Sequence, residues 1–441
     1  MGDRPPLPPG PFLVVGLGRS GQAAARALHA RGERVIAVDA GAPDVGALAA
    51  AGIEVALSVD GTEQLPGARA VIKSPGVPAA APAIAAGHER ALPVLGELEL
   101  AWRLLENEFV AVTGTNGKTT TAELLGHLHR QAGRPVAVAG NVGTAVSSLV
   151  GELDAAAVVV CEASSFQLED TLAFAPEAAA LLNVAEDHLD RHATLDAYVA
   201  AKLRAFANQG PGDLALVPCA LDVGPLPGGA RRLCFGSAPD ADLALRDGML
   251  VWRGDELMAA SDIRLRGAHN LENAMAAAAV ALARGLDAGA VRAGLASFPG
   301  VAHRLEEVGE HRGVVFVNDS KATNIASTLV ALRAFAPGTI HLILGGQGKG
   351  QDFRALRDPV AAAARRVLLI GEDAPRIGAA LKHIPPRVTQ CGDLERALAA
   401  ARRGARRGDV VLLSPACASF DQYQDFEARG EHFRALVRAL R

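Results

Sequence analysis

The segment Thr113-Gly114-Thr115-Asn116-Gly117-Lys118-Thr119 brings together the groups needed to hold a triphosphate. Its glycines let successive backbone N–H groups turn toward phosphate oxygens, Lys118 supplies a point charge near the β and γ groups, and the Thr119 hydroxyl can bind Mg2+. Valine at position 112 departs from the strict G-x-x-x-x-G-K-T pattern, yet the flanking residues read as strand, loop and helix. Glu162 closes the apolar run VVVCE, where a carboxylate can reach the same metal. Alone, such a residue more often caps a helix; beside a phosphate loop, metal binding is the favoured role.

Further polar groups follow apolar strands. In Asn183-Val184-Ala185-Glu186-Asp187-His188-Leu189-Asp190-Arg191-His192, a solvated loop is the default for any one residue, while His188, at a strand terminus, could ligate a metal or orient a substrate. Lys202 lies on a helix in Ala-Ala-Lys-Leu-Arg. Only six of the 44 basic residues are lysine, so exposed cations here are usually arginine, and a lysine within a motif is more often present for its amine. A buried amine has a depressed pKa and can react with carbon dioxide, turning a cation into an anionic oxygen ligand for Mg2+.

Nearer the N-terminus, Gly16-Leu17-Gly18-Arg19-Ser20-Gly21 lies between a strand and a helix, with Asp39 at the next strand end. Taken alone this is a dinucleotide fingerprint suggesting NAD, although the same turn serves other nucleotides or simple tight packing. Lys73-Ser74-Pro75-Gly76 ends another strand and either completes that pocket or turns the chain. In the last third, Asn318 to Asn324, Gly345 to Lys349 and Ser414 to Asp421 each follow a strand. They converge where open α/β sheets bind ligands. Ser419 and Asp421 lack a G-x-S-x-G elbow, which disfavours Ser-His-Asp hydrolysis.

The elements that must position these groups alternate strand and helix. Strands are expected at Phe12 to Val15, Arg34 to Val38, Phe109 to Thr113, Pro135 to Ala139, Ala157 to Cys161 and Ala178 to Asn183, and later at Val314 to Asn318, Thr339 to Leu344, Arg366 to Ile370 and Asp409 to Leu413. Helices are expected at Gln22 to Ala30, Thr119 to about 131, around Leu195 to Ala207, and from about 270 to 284. The reading is α/β with three domains: an N-terminal Rossmann-like domain (1–97), a central P-loop ATPase-type domain (98–300) broken by Pro299-Gly300 from a C-terminal Rossmann-like domain (301–441). At 441 residues, half of them hydrophobic and 21% charged, the chain is globular rather than disordered or fibrous. A net charge of -4 gives no reason to expect nucleic-acid or membrane binding. With no spanning or secretory segment, a cytoplasmic location is expected. Five scattered cysteines without a CxxC pair are expected to be reduced thiols and to bind no zinc.

Gly-Thr-Asn-Gly-Lys-Thr, Glu-Ala-Ser-Ser-Phe-Gln-Leu-Glu, Asn-Val-Ala-Glu-Asp-His-Leu-Asp-Arg and Ala-Lys-Leu-Arg, in this order, resemble the Mur ligases, the ATP-dependent amino-acid ligases of peptidoglycan precursor synthesis. Asn-Asp-Ser-Lys-Ala-Thr-Asn and Leu-Ser-Pro-Ala-Cys-Ala-Ser-Phe-Asp-Gln look like the D-glutamate-adding branch. The resemblance spans the chain from Gly16 to the C-terminal helix. It implies that D-glutamate is joined to UDP-N-acetylmuramoyl-L-alanine at the expense of ATP, by a monomer with small-molecule partners.

The resemblance also implies roles. Gly114, Thr115, Asn116, Gly117, Lys118, Thr119, Thr120, Asn273, Arg304 and Asp319 would hold ATP, with Asp319 at its ribose. Thr119 and Glu162 would serve one Mg2+, and His188 with a carbamylated Lys202 a second; Lys118, His188 and Lys202 would be catalytic. The UDP-sugar would meet Gly16, Leu17, Gly18, Arg19, Ser20, Asp39, Ser74, Pro75, Gly76, Asn141 and His188. The family often has Thr-Arg after the strand-end acid; Ala40-Gly41 here implies a different uracil contact. D-Glutamate would meet Lys321, Thr323, Lys349, Ser419, Phe420 and Phe426. Carboxylate attack on the γ-phosphate would give an acyl phosphate, captured by the D-glutamate amine, and protecting that intermediate from water predicts closure of the third domain. Rival readings are a nicotinamide dehydrogenase, which leaves the central loop unexplained, a non-catalytic P-loop module, a folylpolyglutamate-type ligase and a Mur ligase adding another amino acid.

Overall fold

The computed structural model describes residues 4–265, 267–348 and 350–440. Lys349, expected at the amino-acid site, lies outside them. Three sheets organise the chain, in two compact units: Met1–Ile263 with Ala268–Phe298, and Pro299–Arg441 with Arg264–Gly267.

The first unit opens with the parallel strands β1 (Phe12–Val15), β2 (Val35–Asp39), β3 (Glu54–Leu57), β4 (Ala70–Lys73) and β5 (Val94–Gly96), ordered β3-β2-β1-β4-β5. Both faces are covered. Phe12 and Val14 pack into one core with Ala37 and Ile72, whereas Leu13 and Val15 pack into another with Ile36, Val38 and Val71. That division follows from the two-residue period of a strand, and double burial explains why β1 reads FLVV without polar alternation. The helix after β1 starts at Arg19, three residues before the expected start. Within that first turn a Cβ at Gly21 would collide with the Gly16 carbonyl, so its absence lets helix and strand approach closely.

The second sheet contains β6 (Phe109–Thr113), β7 (Val136–Gly140), β8 (Val158–Glu162), β9 (Ala178–Leu181), β10 (Leu214–Pro218), β11 (Arg231–Gly236), β12 (Leu243–Arg246), β13 (Met249–Trp252) and β14 (Asp255–Ala259). Its order, β14-β13-β12-β11-β10-β9-β6-β8-β7, places β6 between β8 and β9. The strand ends at Thr113, Glu162 and Leu181 are therefore neighbours. In register, Val112 faces Glu162 and Thr113 faces Leu181. The edge through β14 is an antiparallel meander.

One sequence expectation is overturned in this sheet. Cys219 and Cys234 form a disulfide, with Cα atoms 5.0 Å apart. Register is the reason: β10 and β11 run side by side with Val217 opposite Cys234, and the Cys219 amide donates to the Phe235 carbonyl, so cysteines 15 residues apart meet. Cys161, Cys391 and Cys417 are free thiols.

The second unit has β15 (Glu306–His311), β16 (Val314–Asn318), β17 (Ile340–Gly345), β18 (Ala364–Ile370), β19 (Arg387–Gly392) and β20 (Val410–Leu413), ordered β15-β16-β20-β17-β18-β19. All neighbours are parallel except the edge pair β15·β16. Again alternate residues enter different cores, Leu342 and Leu412 on one face, Ile343 and Leu413 on the other. Strands β16, β20 and β17 are adjacent, so the three loops that follow them leave the same sheet edge side by side.

Among the described residues, no helix is long and apolar enough to cross a membrane.

Candidate active site

The loop after β6 is shaped by two glycines. Gly114 has φ +148° and Gly117, which caps helix Lys118–Gln131, has φ +83°, conformations that side chains disfavour. Any Cβ at Gly117 would also collide with the Asn273 amide. The loop is held from β9: the Thr115 amide donates to the Asn183 carbonyl (3.1 Å), the Asn116 amide to Asn183 Oδ1 (2.8 Å), and Asn183 Nδ2 back to the Asn116 carbonyl (3.1 Å). Thr115 Oγ1 receives the Ala185 amide at 3.0 Å. Asn183 thus sets the loop conformation from outside it.

Lys118 Nζ donates to the carbonyls of Gly114 (2.9 Å) and Thr115 (3.0 Å), and Lys202 Nζ donates to the same Gly114 carbonyl (2.8 Å). Lys202, 1% exposed, stands 4.2 Å from the centre of the Tyr198 ring. Burial, and then the Lys118 charge, pull its amine down to about 7. Taking a charge out of water and setting a like charge beside it both favour the neutral amine. Lys202 therefore combines a buried site with nucleophilic character at neutral pH.

Glu162 is buried, with Oε1 accepting from Asn141 Nδ2 at 3.1 Å. Thr119 and Thr120 are buried in the first turn of the loop helix. His188 is half exposed, has φ +52°, and packs 4.8 Å from the Phe166 ring centre. His192 is buried instead, hydrogen-bonded to Ser165 Oγ (3.0 Å) and beside Glu169 (3.2 Å).

Among the described residues no three His, Cys, Asp or Glu side chains cluster as a ready metal cage. Mg2+ needs no such cage, since it keeps several waters and takes few protein oxygens. Thr119 and Glu162 are hard oxygen donors and fit it. His188 with Lys202 does not fit as the side chains stand, because an amine hydrogen-bonded to a carbonyl offers the ion no anionic oxygen.

A cavity of about 390 Å3 lies at the carboxyl ends of β1, β2 and β4, lined by Gly16, Gly18, Arg19, Ser20, Asp39, Ser74, Pro75, Gly76, Val77, Asn141 and Gln167. The order β3-β2-β1-β4-β5 makes this the topological switch point, the usual ligand crevice of an open sheet. Gly16 has φ +88° and abuts Val77, so it is required by the turn. Gly18 has nothing within 4 Å of where its Cβ would be; its bareness leaves room in the cavity. Asp39 holds the turn, accepting from the Leu17 amide (2.5 Å) and the Gly41 amide (2.7 Å). Leu17 itself is buried in the core, so only its backbone faces this region. Arg19 donates to the Gly143 carbonyl at 3.1 Å. His188 does not line the cavity.

The loop bearing Ser74 to Gly76 is anchored beneath. Lys73, 1% exposed, pairs with Asp170 at 2.5 Å, and the Gly96 amide donates to the Asp170 carbonyl. Burial pushes the Asp170 carboxyl up against the pull of the Lys73 ammonium. Above, Arg191 pairs with Glu169 (3.0 Å) and donates to the Pro75 carbonyl (3.3 Å). Gln167 is oriented by a capping box: its Oε1 accepts the Ser164 amide while Ser164 Oγ accepts the Gln167 amide.

In the second unit, Asp319 is buried and both oxygens are engaged, one accepting from Ser414 Oγ (2.7 Å) and the other from the Leu305 amide (3.1 Å). Burial pushes its carboxyl up to about 7. Arg304 lies near this carboxyl and is partly exposed. Thr323 is partly exposed, Ser419 buried, and Phe420 63% exposed. Lys321 Nζ lies 5.9 Å from the Phe426 ring centre.

The loop residues 114–120 thus gather with Asn273, Glu162 and Lys202, and the cavity residues gather with Asn141; of the amino-acid candidates, Lys321, Thr323, Ser419 and Phe420 stand on the loops after β16 and β20, and Phe426 opens the C-terminal helix. Missed from sequence were Asn183, Tyr198, Gln167, Val77 and Asn270, whose Oδ1 accepts from Asn273 Nδ2 at 3.2 Å. The Ser164-x-x-Gln167 spacing was a readable signal for one of them.

Three family descriptions match along the chain: Mur ligase MurD-like, N-terminal domain over residues 11–96, Mur ligase middle domain over 112–281, and Mur ligase, glutamate ligase domain over 303–417. The chain is 45% identical to the UDP-N-acetylmuramoylalanine--D-glutamate ligase of Anaeromyxobacter dehalogenans, covering 96% of each chain. It is 43% identical to that of Myxococcus xanthus over 97% of this chain and 98% of the relative. Among solved structures, UDP-N-acetylmuramate-alanine ligase MurC from Thermotoga maritima aligns with a TM-score of 0.60 at 20% identity, over 98% of this chain and 99% of that one. MurF ligase from the same organism, in complex with ADP, aligns at 0.57 and 18% identity over 92% and 96%; these two show the fold. Since relatives this similar run nearly end to end with it and the family's successive domains follow one another along it, the chain belongs to the Mur ligase family.

Proposed function

We propose that the chain joins D-glutamate to UDP-N-acetylmuramoyl-L-alanine, consuming ATP and releasing ADP and phosphate, as a step of peptidoglycan precursor synthesis. The observation that carries this reading is the convergence of Lys118 and Lys202 on the Gly114 carbonyl at the end of β6, in a chain 45% identical to a relative named for that reaction.

The division of labour follows residues 1–97, 98–300 and 301–441. The cavity at β1, β2 and β4 takes the UDP-sugar, with Arg19 and the open backbone at Gly18 toward its diphosphate and Ser74 to Gly76 closing one wall. Residues 114–120 wrap the triphosphate, and Lys118 exchanges its carbonyl contacts for the β and γ oxygens. Asn273, Arg304 and Asp319 serve the adenine nucleotide. Thr323, Lys349, Ser419 and Phe426 serve D-glutamate, with Lys321 and Phe420 beside them.

Chemistry begins when the carboxylate of the nucleotide substrate attacks the γ-phosphorus, breaking the bond to ADP and giving an acyl phosphate. The D-glutamate amine then attacks the acyl carbon, the tetrahedral adduct expels phosphate, and a proton leaves the nitrogen as the amide forms. Thr119 and Glu162 would hold one Mg2+, which would supply charge neutralisation where the anions meet, and His188 with Lys202 would hold a second only once Lys202 carries a carbamate. Carbamylation would make Lys202 a suitable donor: its neutral amine would add carbon dioxide and lose a proton, exchanging a cation for a carboxylate-like oxygen.

A phosphate-release assay tests the reading. D-Glutamate, L-glutamate, L-alanine and meso-diaminopimelate are offered in turn with ATP and the matching nucleotide precursors. Turnover requiring D-glutamate and the muramoyl-alanine nucleotide supports it; turnover with a different pair, or ATP hydrolysis indifferent to both, contradicts it.

A further inference from the structure

Arg429, on the C-terminal helix Phe426–Arg438, is 1% exposed, and among the described residues no carboxylate lies within ion-pair distance of it. Its charge is met by dipoles instead. Nε donates to Ser320 Oγ (2.9 Å), one terminal nitrogen to the carbonyls of Ser320 (2.8 Å) and Cys417 (3.1 Å), and the other to Ala418 (3.3 Å). Ser320 Oγ in turn donates a hydrogen bond to the Phe426 carbonyl at 2.8 Å.

These acceptors belong to two of the three loops at the ends of β16, β20 and β17, and the third is tied in through Ala418. Gln347 and Ala418 exchange backbone hydrogen bonds of 2.9 and 3.0 Å, and a Cβ at Gly346 would collide with the Ala418 carbonyl and press on the Arg429 guanidinium. One planar fork therefore joins all three loops to one helix. A buried unpaired cation is costly to keep, and simple packing would be met by an apolar side chain. Burial draws the guanidinium down to about 10, so it stays charged at neutral pH.

We propose that Arg429 is a positioning residue for the amino-acid substrate, holding the loops of Thr323 and Ser419 in the register that binds it. The proposal rests on the reading above that these loops take D-glutamate. Lysine cannot replace it, because a single ammonium cannot bridge acceptors on two loops at the angles a guanidinium spans.

The test uses the full chain as wild type, Arg429→Lys and Ser320→Ala, with initial rates measured while ATP, the muramoyl-alanine nucleotide and D-glutamate are varied in turn. In Arg429→Lys the KM for D-glutamate rises by about ten-fold or more, and in Ser320→Ala by a smaller factor, while the other two KM values move less than about two-fold. A D-glutamate KM unchanged in either folded variant, or three KM values rising together, overturns the proposal. Should Arg429→Lys fail to fold, Ser320→Ala decides alone. Wild-type enzyme that does not consume D-glutamate overturns the functional reading itself, and is recognised in the wild-type arm before any variant is compared.

Discussion

The side-chain nitrogens of Lys118 and Lys202 lie 2.9 and 2.8 Å from one acceptor, the carbonyl oxygen of Gly114. Two cations on a single carbonyl repel each other, and the more buried one yields. Lys202, drawn down to about 7 first by burial and then by Lys118, is half neutral near pH 7. Lys202→Arg keeps the charge and cannot form a carbamate, so turnover is expected to fall by about 100-fold or more, in line with loss of one charged group at a reacting centre. Small carboxylic acids added to a Lys202→Ala variant restore part of it. Near-normal turnover of Lys202→Arg rules out the carbamate.

The same amine sets a pH dependence. Below about 7 the proton returns to Lys202, and the form that captures carbon dioxide disappears. In carbon dioxide-depleted buffer, activity is expected to be low and to recover on adding bicarbonate, with recovery falling as pH drops through 7. Equal recovery at all pH values contradicts this.

Gly117 allows no side chain. Gly117→Ala combines φ +83° with a collision against Asn273, which predicts a strain of at least about 1 kcal/mol and loss of ATP binding. Lys118→Ala abolishes ATP use while leaving the fold intact. Nucleotide binding followed by calorimetry checks both; ATP affinity within two-fold of wild type in Gly117→Ala, by the order expected of tolerated changes, contradicts the loop geometry.

Lys73→Met removes the buried partner of the half-buried Asp170 carboxylate. Breaking such a pair costs about 3 kcal/mol, and the loop of Ser74 to Gly76 loses its anchor, so the KM for the nucleotide-sugar rises more than kcat falls. Because Asp170 is already pushed up by burial, Lys73→Met with Asp170→Leu is expected to recover most of the stability. Denaturant unfolding of the two singles and the double measures the coupling; additive losses indicate that the pair does not matter.

Asp319 carries a stability signature in the second unit. Its folded-state pKa of about 7 lies above the ordinary 3.8, so the folded state holds the proton more tightly. The stability this proton brings is complete below 3.8 and is lost as pH rises through about 7. Asp319→Asn, neutral throughout, removes this dependence, a change on the order of 4 kcal/mol across the window. Thermal unfolding by circular dichroism over that window checks it, and an unaltered slope counts against the assignment.

Strands buried on both faces were legible in sequence because they read as short apolar runs: FLVV, FVAVT and VVFVN have the same bounds in the structure as in the sequence. Edge strands were not. β15 (EEVGEH) and β19 (RVTQCG) are held by backbone pairing at the rim of a sheet, where side chains are free to be polar. The Cys219–Cys234 bond was hidden for a related reason, since strand register decides it rather than spacing. At the site, loop glycines and lysines announced themselves by type. Asn183, Gln167 and Arg429 act from neighbouring elements through backbone groups, a role that composition does not mark.

The most direct measurement follows oxygen through the reaction. The carboxylate of the muramoyl-alanine nucleotide is labelled with heavy oxygen and incubated with ATP, D-glutamate and the enzyme, and the released phosphate and the nucleotide product are analysed by mass spectrometry. An acyl phosphate requires one labelled oxygen in each phosphate and a glutamyl-extended nucleotide retaining the other. Unlabelled phosphate, or release of phosphate without the extended product, contradicts the account.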